Sequence, residues 1–208
     1  MLDTRIGWTS DRRWSDEART PWNPGAAYRA LVSGGSPRGT AWRRPALLAF
    51  ILGCATSAAV SGRFTPRLIL DGAIAFAFLP LFAAAAFAVV FRRRRTAVAF
   101  GQALDLFFIG HAPWLLWLIG LAALTLVVDP RGLGPWLVPL ECSLIAPAVW
   151  GLWIDFHFFR EVHGRTPREA RHDLILHRTL AWSAATTYFL GIAIWGEVLP
   201  QVLGWVHR

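Results

Sequence analysis

Four consecutive arginines, Arg92 to Arg95, separate two long apolar runs, Leu68 to Phe91 and Leu104 to Val128. A helix rises ~1.5 Å per residue and the hydrocarbon core of a bilayer is ~30 Å thick, so each run is long enough to cross a membrane. The arginines then mark a tight turn between two spans on the cytoplasmic side, where positive charge is retained. A chain of this kind folds as an all-α, polytopic membrane helix bundle, because runs of this length satisfy their backbone in lipid only as helices.

With 55% hydrophobic residues among 208, the chain is too apolar for an ordinary soluble domain. Its formal charge of +8 does not point to nucleic acid, because the arginines gather at the ends of apolar segments and form no stripe beside stacking aromatics. Lysine is absent and all 21 basic residues are arginine, a pattern of GC-rich bacterial genomes that points to a bacterial inner membrane.

Five apolar segments stand out: about 45–60, 68–91, 104–128, 136–156 and 179–199. They predict a five-helix transmembrane domain over 45–208. Residues 1–44 precede it, interrupted by Pro21, Pro24, Gly34, Gly35 and Pro37, and are expected to form a flexible cytoplasmic tail. Trp8, Trp14, Trp22 and Trp42 in that tail either rest with neighbouring arginines on an anionic leaflet or ride along in a solvated segment. A cytoplasmic N-terminus places seventeen arginines inside and four outside, which predicts an inside N-terminus and an outside C-terminus.

Between the fourth and fifth segments, Thr166-Pro167-Arg168-Glu169 combines an N-cap hydroxyl, a proline at the first helical position and a glutamate at the third. A cytoplasmic amphipathic helix is expected over 167–178, with Ala170, Leu174, His177 and Ala181 on one face, bending or continuing into span five. Gly53, Ser57 and Ser61, with Ala58 and Gly62 beside them, give span one a row of small residues and so a place inside the bundle. Pro80, Pro113, Pro139 and Pro147 fall within spans and permit kinks.

Ionisable residues at membrane depth are where function concentrates. Asp71, Glu141 and Glu197 lie near outer span ends, within reach of Arg63, Arg67 and Arg131. Gln102, Asp105, His111, Asp155, His157 and Arg178 fall toward the inner ends and are expected to form a polar cluster tying helices together. His157, His163, His172 and His177 do not share a helical face at ligand spacing, so no metal site is expected. The alternative is a b-type haem in an electron-transfer anchor, with His111, His157 and His177 as candidate axial ligands, or a small transporter subunit using His111, Asp105 and Glu141. No Gly-x-Ser-x-Gly, phosphate-binding glycine loop or His-Glu-x-x-His occurs, so no catalytic residue, no cofactor and no enzymatic activity are expected.

Two stretches carry a family resemblance. Gln102-Ala103 leading to Gly110-His111-Ala112-Pro113, and Trp150 followed by Arg160, His163-Gly164 and Ala170, are similar to segments of the Yip family of Ypt/Rab-interacting membrane proteins, in particular its bacterial branch. The layout from Pro45 to Leu199 resembles that family's five spans behind a cytoplasmic tail. The resemblance implies a non-enzymatic scaffold or accessory subunit of a membrane complex, with the lipid bilayer, anionic lipid and other membrane proteins as partners and no nucleic acid.

Overall fold

A computed structural model describes residues 14–34, 42–93, 98–128 and 137–206, with backbone only at 137, 193 and 196–206. Arg94 and Arg95 lie outside the described residues; Arg92 and Arg93 are exposed where the preceding helix ends. Among the described residues the regular structure is entirely helical. In chain order the helices are α1 (14–19), α2 (Pro24–Ser33), α3 (Arg43–Ser61), α4 (Pro66–Phe76), α5 (Phe78–Arg92), α6 (Phe100–Ile109), α7 (Ala112–Val127), α8 (Leu137–Ser143), α9 (Ile145–Glu161) and α10 (Pro167–Val206).

Prolines set three of the breaks between consecutive helices. Proline lacks an amide hydrogen and its ring clashes with the carbonyl four residues earlier. The residues four before Pro80, Pro113 and Pro147 are Phe76, Ile109 and Ser143, the last residues of α4, α6 and α8. At each break the chain closes a tighter i→i−3 bond instead: Ala77 N–H to Ile74 O at 3.2 Å, Gly110 N–H to Phe107 O at 3.1 Å, and Leu144 N–H to Glu141 O at 3.1 Å. The α6–α7 pair is bent by 45° as a result.

Among the described residues, three apolar stretches are continuous enough to cross a membrane, Arg43–Ser61, Pro66–Arg92 and Val138–Glu161, and the bent α6–α7 pair is a fourth if it counts as one span. The expected fifth, 179–199, lies within the 40-residue α10, which runs from Pro167 without a break. Large apolar side chains such as Phe50, Ile74, Leu116, Val149 and Leu190 face outward, as a surface solvated by lipid requires.

Small residues let α3 and α4 approach closely. Gly53 has the Ile69 carbonyl and the Ala73 amide where a side chain would go, and Gly72 faces Thr56 in the same way. Ser57 fastens the turn between them, donating to Arg63 O at 2.9 Å and accepting from Thr65 N–H at 2.8 Å. The row of small residues on span one therefore sits at a helix contact, as its spacing predicts.

The largest core cluster does not lie midway along the spans. Tyr28, Leu104, Phe107, Phe87, Ile154, Phe158 and Phe159 are buried together where α2, α5, α6 and α9 meet. Within α6 every residue from Ala103 to Ile109 is buried, so this helix is wrapped on all sides. The flexible tail expected over 1–44 needs correction across residues 14–33: these form α1 and α2, and Ala27, Tyr28 and Leu31 of α2 pack against α9. The rest of that segment, save residues 34 and 42–44, lies outside the described residues.

Candidate functional site

Charged side chains buried in lipid need a partner, and the buried carboxylates of the bundle have theirs. Asp105, the charged residue of α6, accepts from Arg44 Nε at 2.8 Å. The same guanidinium meets Glu17 of α1 at 2.8 Å, so one arginine at the start of α3 bridges α1 and α6. Asp155 of α9 pairs with Arg178 of α10. Arg29 of α2 meets Glu161 at the end of α9 at 2.9 Å.

An aromatic contact completes the attachment of the N-terminal helices. Trp150 of α9 donates its indole N–H to the Pro21 carbonyl at 2.7 Å and packs against the Trp22 ring, with centroids 4.9 Å apart. Asn23 caps α2 by accepting from Ala26 N–H at 3.4 Å, with Pro24 at the first helical position. Tyr28 then reaches the core, its hydroxyl buried without a hydrogen bond and its ring edge-on to Phe158. Burial, reinforced by the nearby Asp155 charge, holds the Tyr28 phenol well above its ordinary range.

Thr166 and Glu169 close a capping box at the start of α10. The Thr166 amide and hydroxyl donate to Glu169 Oε2 at 3.1 and 2.9 Å, and the Glu169 amide donates to Thr166 Oγ1 at 3.4 Å. Ala170, Asp173 and His177 on its inner face are buried. His163, in the preceding turn, is enclosed by Phe87, Phe91, Phe158 and Phe159 and has neither ring nitrogen hydrogen-bonded. Burial, with Arg165 adding to it, lowers its pKa to about 4. His177 Nε2 donates to Ala83 O at 3.1 Å, and burial followed by the Arg178 charge brings its pKa to about 4 as well.

The expected polar cluster divides into two sets and an outlier. Asp105 joins Arg44 and Glu17, two residues that sequence spacing did not single out. Asp155, Arg178 and His111 form the second set, with His111 close enough to feel the Arg178 charge. Gln102 is half-buried on α6. His157 lies apart, its ring against Trp153 and Phe156 and its Nδ1 3.2 Å from where a Cβ on Gly25 would stand.

Of the candidate haem ligands, only His111 and His177 are neighbours. Both pack on the Phe107 ring, at centroid distances of 5.1 and 4.9 Å, so Phe107 occupies ground that a macrocycle between them would need. The described residues contain no group of three or more His, Cys, Asp or Glu placed to hold a metal ion. Of the carboxylates expected near outer span ends, Asp71 pairs with Arg67 at 3.7 Å on the surface, Glu141 is exposed, and the side chain of Glu197 lies outside the described set. Cys54 and Cys142 are unpaired.

Two cavities flank His111. One, of about 290 Å³, lies among α3, α5, α7 and α10 and is walled by Leu52, Pro80, Trp114, Trp117, Arg178 and Trp182, among others. The other, of about 440 Å³, lies beneath α1 and is bordered by Trp14, Glu17, Trp22 and Arg44. Leu48 and His111 border both. Compared with known proteins, the chain matches no family model, no curated protein and no solved structure.

Proposed function

We propose that this protein is a non-enzymatic scaffold or accessory subunit of a membrane complex, similar in layout to the bacterial branch of the Yip family. It sits in a bacterial inner membrane with its N-terminus in the cytoplasm, five spans and its C-terminus outside. The bias of seventeen inward arginines to four supports that orientation.

The observation that carries this reading is the way the buried charges are used. Glu17–Arg44–Asp105 and Arg29–Glu161 lock α1 and α2 onto the inner ends of α3, α6 and α9. Ion pairs engaged in holding helices in register are not poised for proton transfer. The result is a fixed cap that presents Trp14, Trp22 and Trp42 outward beside arginines, a composition suited to anionic headgroups and to the flank of another membrane protein.

A photoreactive amino acid at position 14, activated in living cells, tests the proposal. One discrete protein adduct is expected, and it should weaken when Glu17→Gln loosens the cap. Adducts to lipid alone would refute the scaffold reading.

A further inference from the structure

Arg29, Arg44, Arg160, Arg165 and Arg178 each face an aspartate or glutamate. Arg92 and Arg93 at the end of α5, and Arg168 and Arg171 in the first turns of α10, do not. All four are exposed, and none of them pairs with a carboxylate among the described residues. The two carboxylates beside them on α10 are engaged elsewhere, Glu169 with Thr166 in the capping box and Asp173 with Arg165 at 3.8 Å.

The register of the two helices brings these arginines to one level. α5 and α10 pack antiparallel, with the Phe78 and Tyr188 rings 4.5 Å apart and His177 Nε2 on Ala83 O at 3.1 Å. Arg92 lies nine residues beyond Ala83 and Arg168 nine residues before His177, on helices that run unbroken between those positions. At ~1.5 Å per residue, both stand ~14 Å farther along the bundle. Arg93 follows Arg92 directly, and Arg171 is less than one turn from Arg168. Two pairs of guanidinium groups therefore stand about one helix spacing apart, ~8–10 Å between axes.

Below that level the outward faces of both helices are apolar. Leu81, Ala85 and Val89 are exposed on α5 before Arg92, and Trp182 and Ile175 are exposed on α10 before Arg171 and Arg168. A phospholipid has the same order of chemistry, with chains against the apolar stripe and a charged head at its end. An acidic protein segment would meet the arginines alone. Each arginine near an anionic surface is worth roughly fivefold in affinity. One phosphate diester carries a single negative charge, whereas two phosphates on one head can serve both pairs, the second contact being intramolecular once the first is made.

We propose that the adjoining ends of α5 and α10 form a site for an anionic lipid with two phosphates, a diphosphatidylglycerol. One phosphate sits on Arg92 and Arg93, the other on Arg168 and Arg171, and the acyl chains lie along Val89 and Ile175. The site rests on this end of the bundle lying at a membrane surface; it does not depend on the scaffold role, which adducts from position 14 test separately.

The test titrates the full-length protein in detergent micelles with tetraoleoyl diphosphatidylglycerol and counts bound lipid by native mass spectrometry. One tightly held molecule per chain is expected, with dioleoyl phosphatidylglycerol at equal phosphate at least tenfold weaker. Equal retention of the two lipids would overturn the two-phosphate assignment. Arg92→Gln/Arg93→Gln and Arg168→Gln/Arg171→Gln should each weaken binding at least tenfold. Arg63→Gln/Arg67→Gln removes the same charge from the exposed turn between α3 and α4 and should leave it unchanged. An equal loss in all three variants would show attraction by net charge alone, and wild-type binding in the first two would show that the arginines hold no headgroup; either result overturns the site. A diphosphatidylglycerol with a photoreactive acyl chain, applied to the unaltered protein, gives a readout independent of the variants. Adducts within 85–93 and 168–175 support the site, and adducts confined elsewhere refute it.

Discussion

Replacing Asp155 with alanine leaves the Arg178 guanidinium in the bundle without its counter-ion. The two side chains are 2% and 23% exposed, so the pair is largely withdrawn from solvent. Removing one member of such a pair costs about 3–5 kcal/mol, chiefly because the remaining charge is stranded. Arg178 keeps some access through the cavity, which places the expected loss near the low end, about 3 kcal/mol. For a chain of this size that corresponds to a fall in Tm of roughly 6–12 °C, at about 2–4 °C per kcal/mol. The double variant Asp155→Leu/Arg178→Met removes both charges and leaves apolar volume, and should lie within about 1 kcal/mol of wild type. Thermal denaturation in one detergent of wild type, Asp155→Leu, Arg178→Met and the double variant closes the cycle and measures the coupling, with Asp155→Ala run beside them. A single variant that loses less than about 1 kcal/mol, or a double variant no better than the single, would refute the assignment of this pair as a buried clamp.

Three further outcomes are expected. His163 is neutral in the fold, with a pKa of about 4 against about 6.5 unfolded, so the unfolded chain takes up more protons between those values and stability should fall as pH drops from 6.5 toward 4. His177 acts in the same direction, and in His163→Phe the acid-side slope measured by thermal denaturation should decrease without vanishing. Gly53→Ala would place a methyl 2.9 Å from the Ala73 amide nitrogen and closer still to the Ile69 carbonyl, so α3 and α4 must separate. A loss of about 1–3 kcal/mol is expected in detergent unfolding, and wild-type stability would show that the contact is not close. Arg168→Cys, at an exposed position of α10 and in a chain with Cys54 and Cys142 changed to alanine, should react with a membrane-impermeant maleimide only after the cells are opened, and labelling of intact cells would reverse the proposed orientation.

What could be read along the chain was what is encoded locally. Apolar runs, prolines and the Thr166–Glu169 box act within a few residues, and the helices begin and break where those signals stand. The small-residue row at Gly53 and Ser57 was legible for the same reason. The N-terminal layer also carried a local signal that went unused: Asn23-Pro24 is an N-cap followed by proline, and Ala27, Tyr28 and Leu31 recur at helical spacing behind it. The surrounding glycines and prolines outweighed it, because a composition average does not see a ten-residue helix.

The pairing of charges was out of reach for a different reason. Arg44 and Asp105 are 61 residues apart, and Trp150 and Pro21 are 129 apart. Depth in the bilayer narrows the candidates, but two residues at one depth meet only if their helices are neighbours. That is how Asp105 came to be grouped with Asp155 and His157, whereas α6 turns it toward α3 and α1.

The same charges help explain why the helices choose these neighbours. Between two helices in lipid, apolar surface supplies little preference, since hydrocarbon solvates a leucine as well as another leucine does. A carboxylate or guanidinium left facing lipid costs about 2.5–3.5 kcal/mol even on the lenient insertion scale. Asp105 therefore disfavours any arrangement that takes α6 away from Arg44, and Asp155 disfavours any that takes α9 away from Arg178. The two pairs act on different helices, so they jointly specify α3 beside α6 and α9 beside α10, and Glu17 extends the first pair to the N-terminal cap. Register at each contact is then set by close packing, with Gly53 against α4 and Gly110 against Tyr28 and Ile154. In this bundle, conserving charge balance while exchanging partners should fail. Asp105→Arg with Arg44→Asp keeps both charges but reverses them beside Glu17, and that like-charge contact should cost more than it restores.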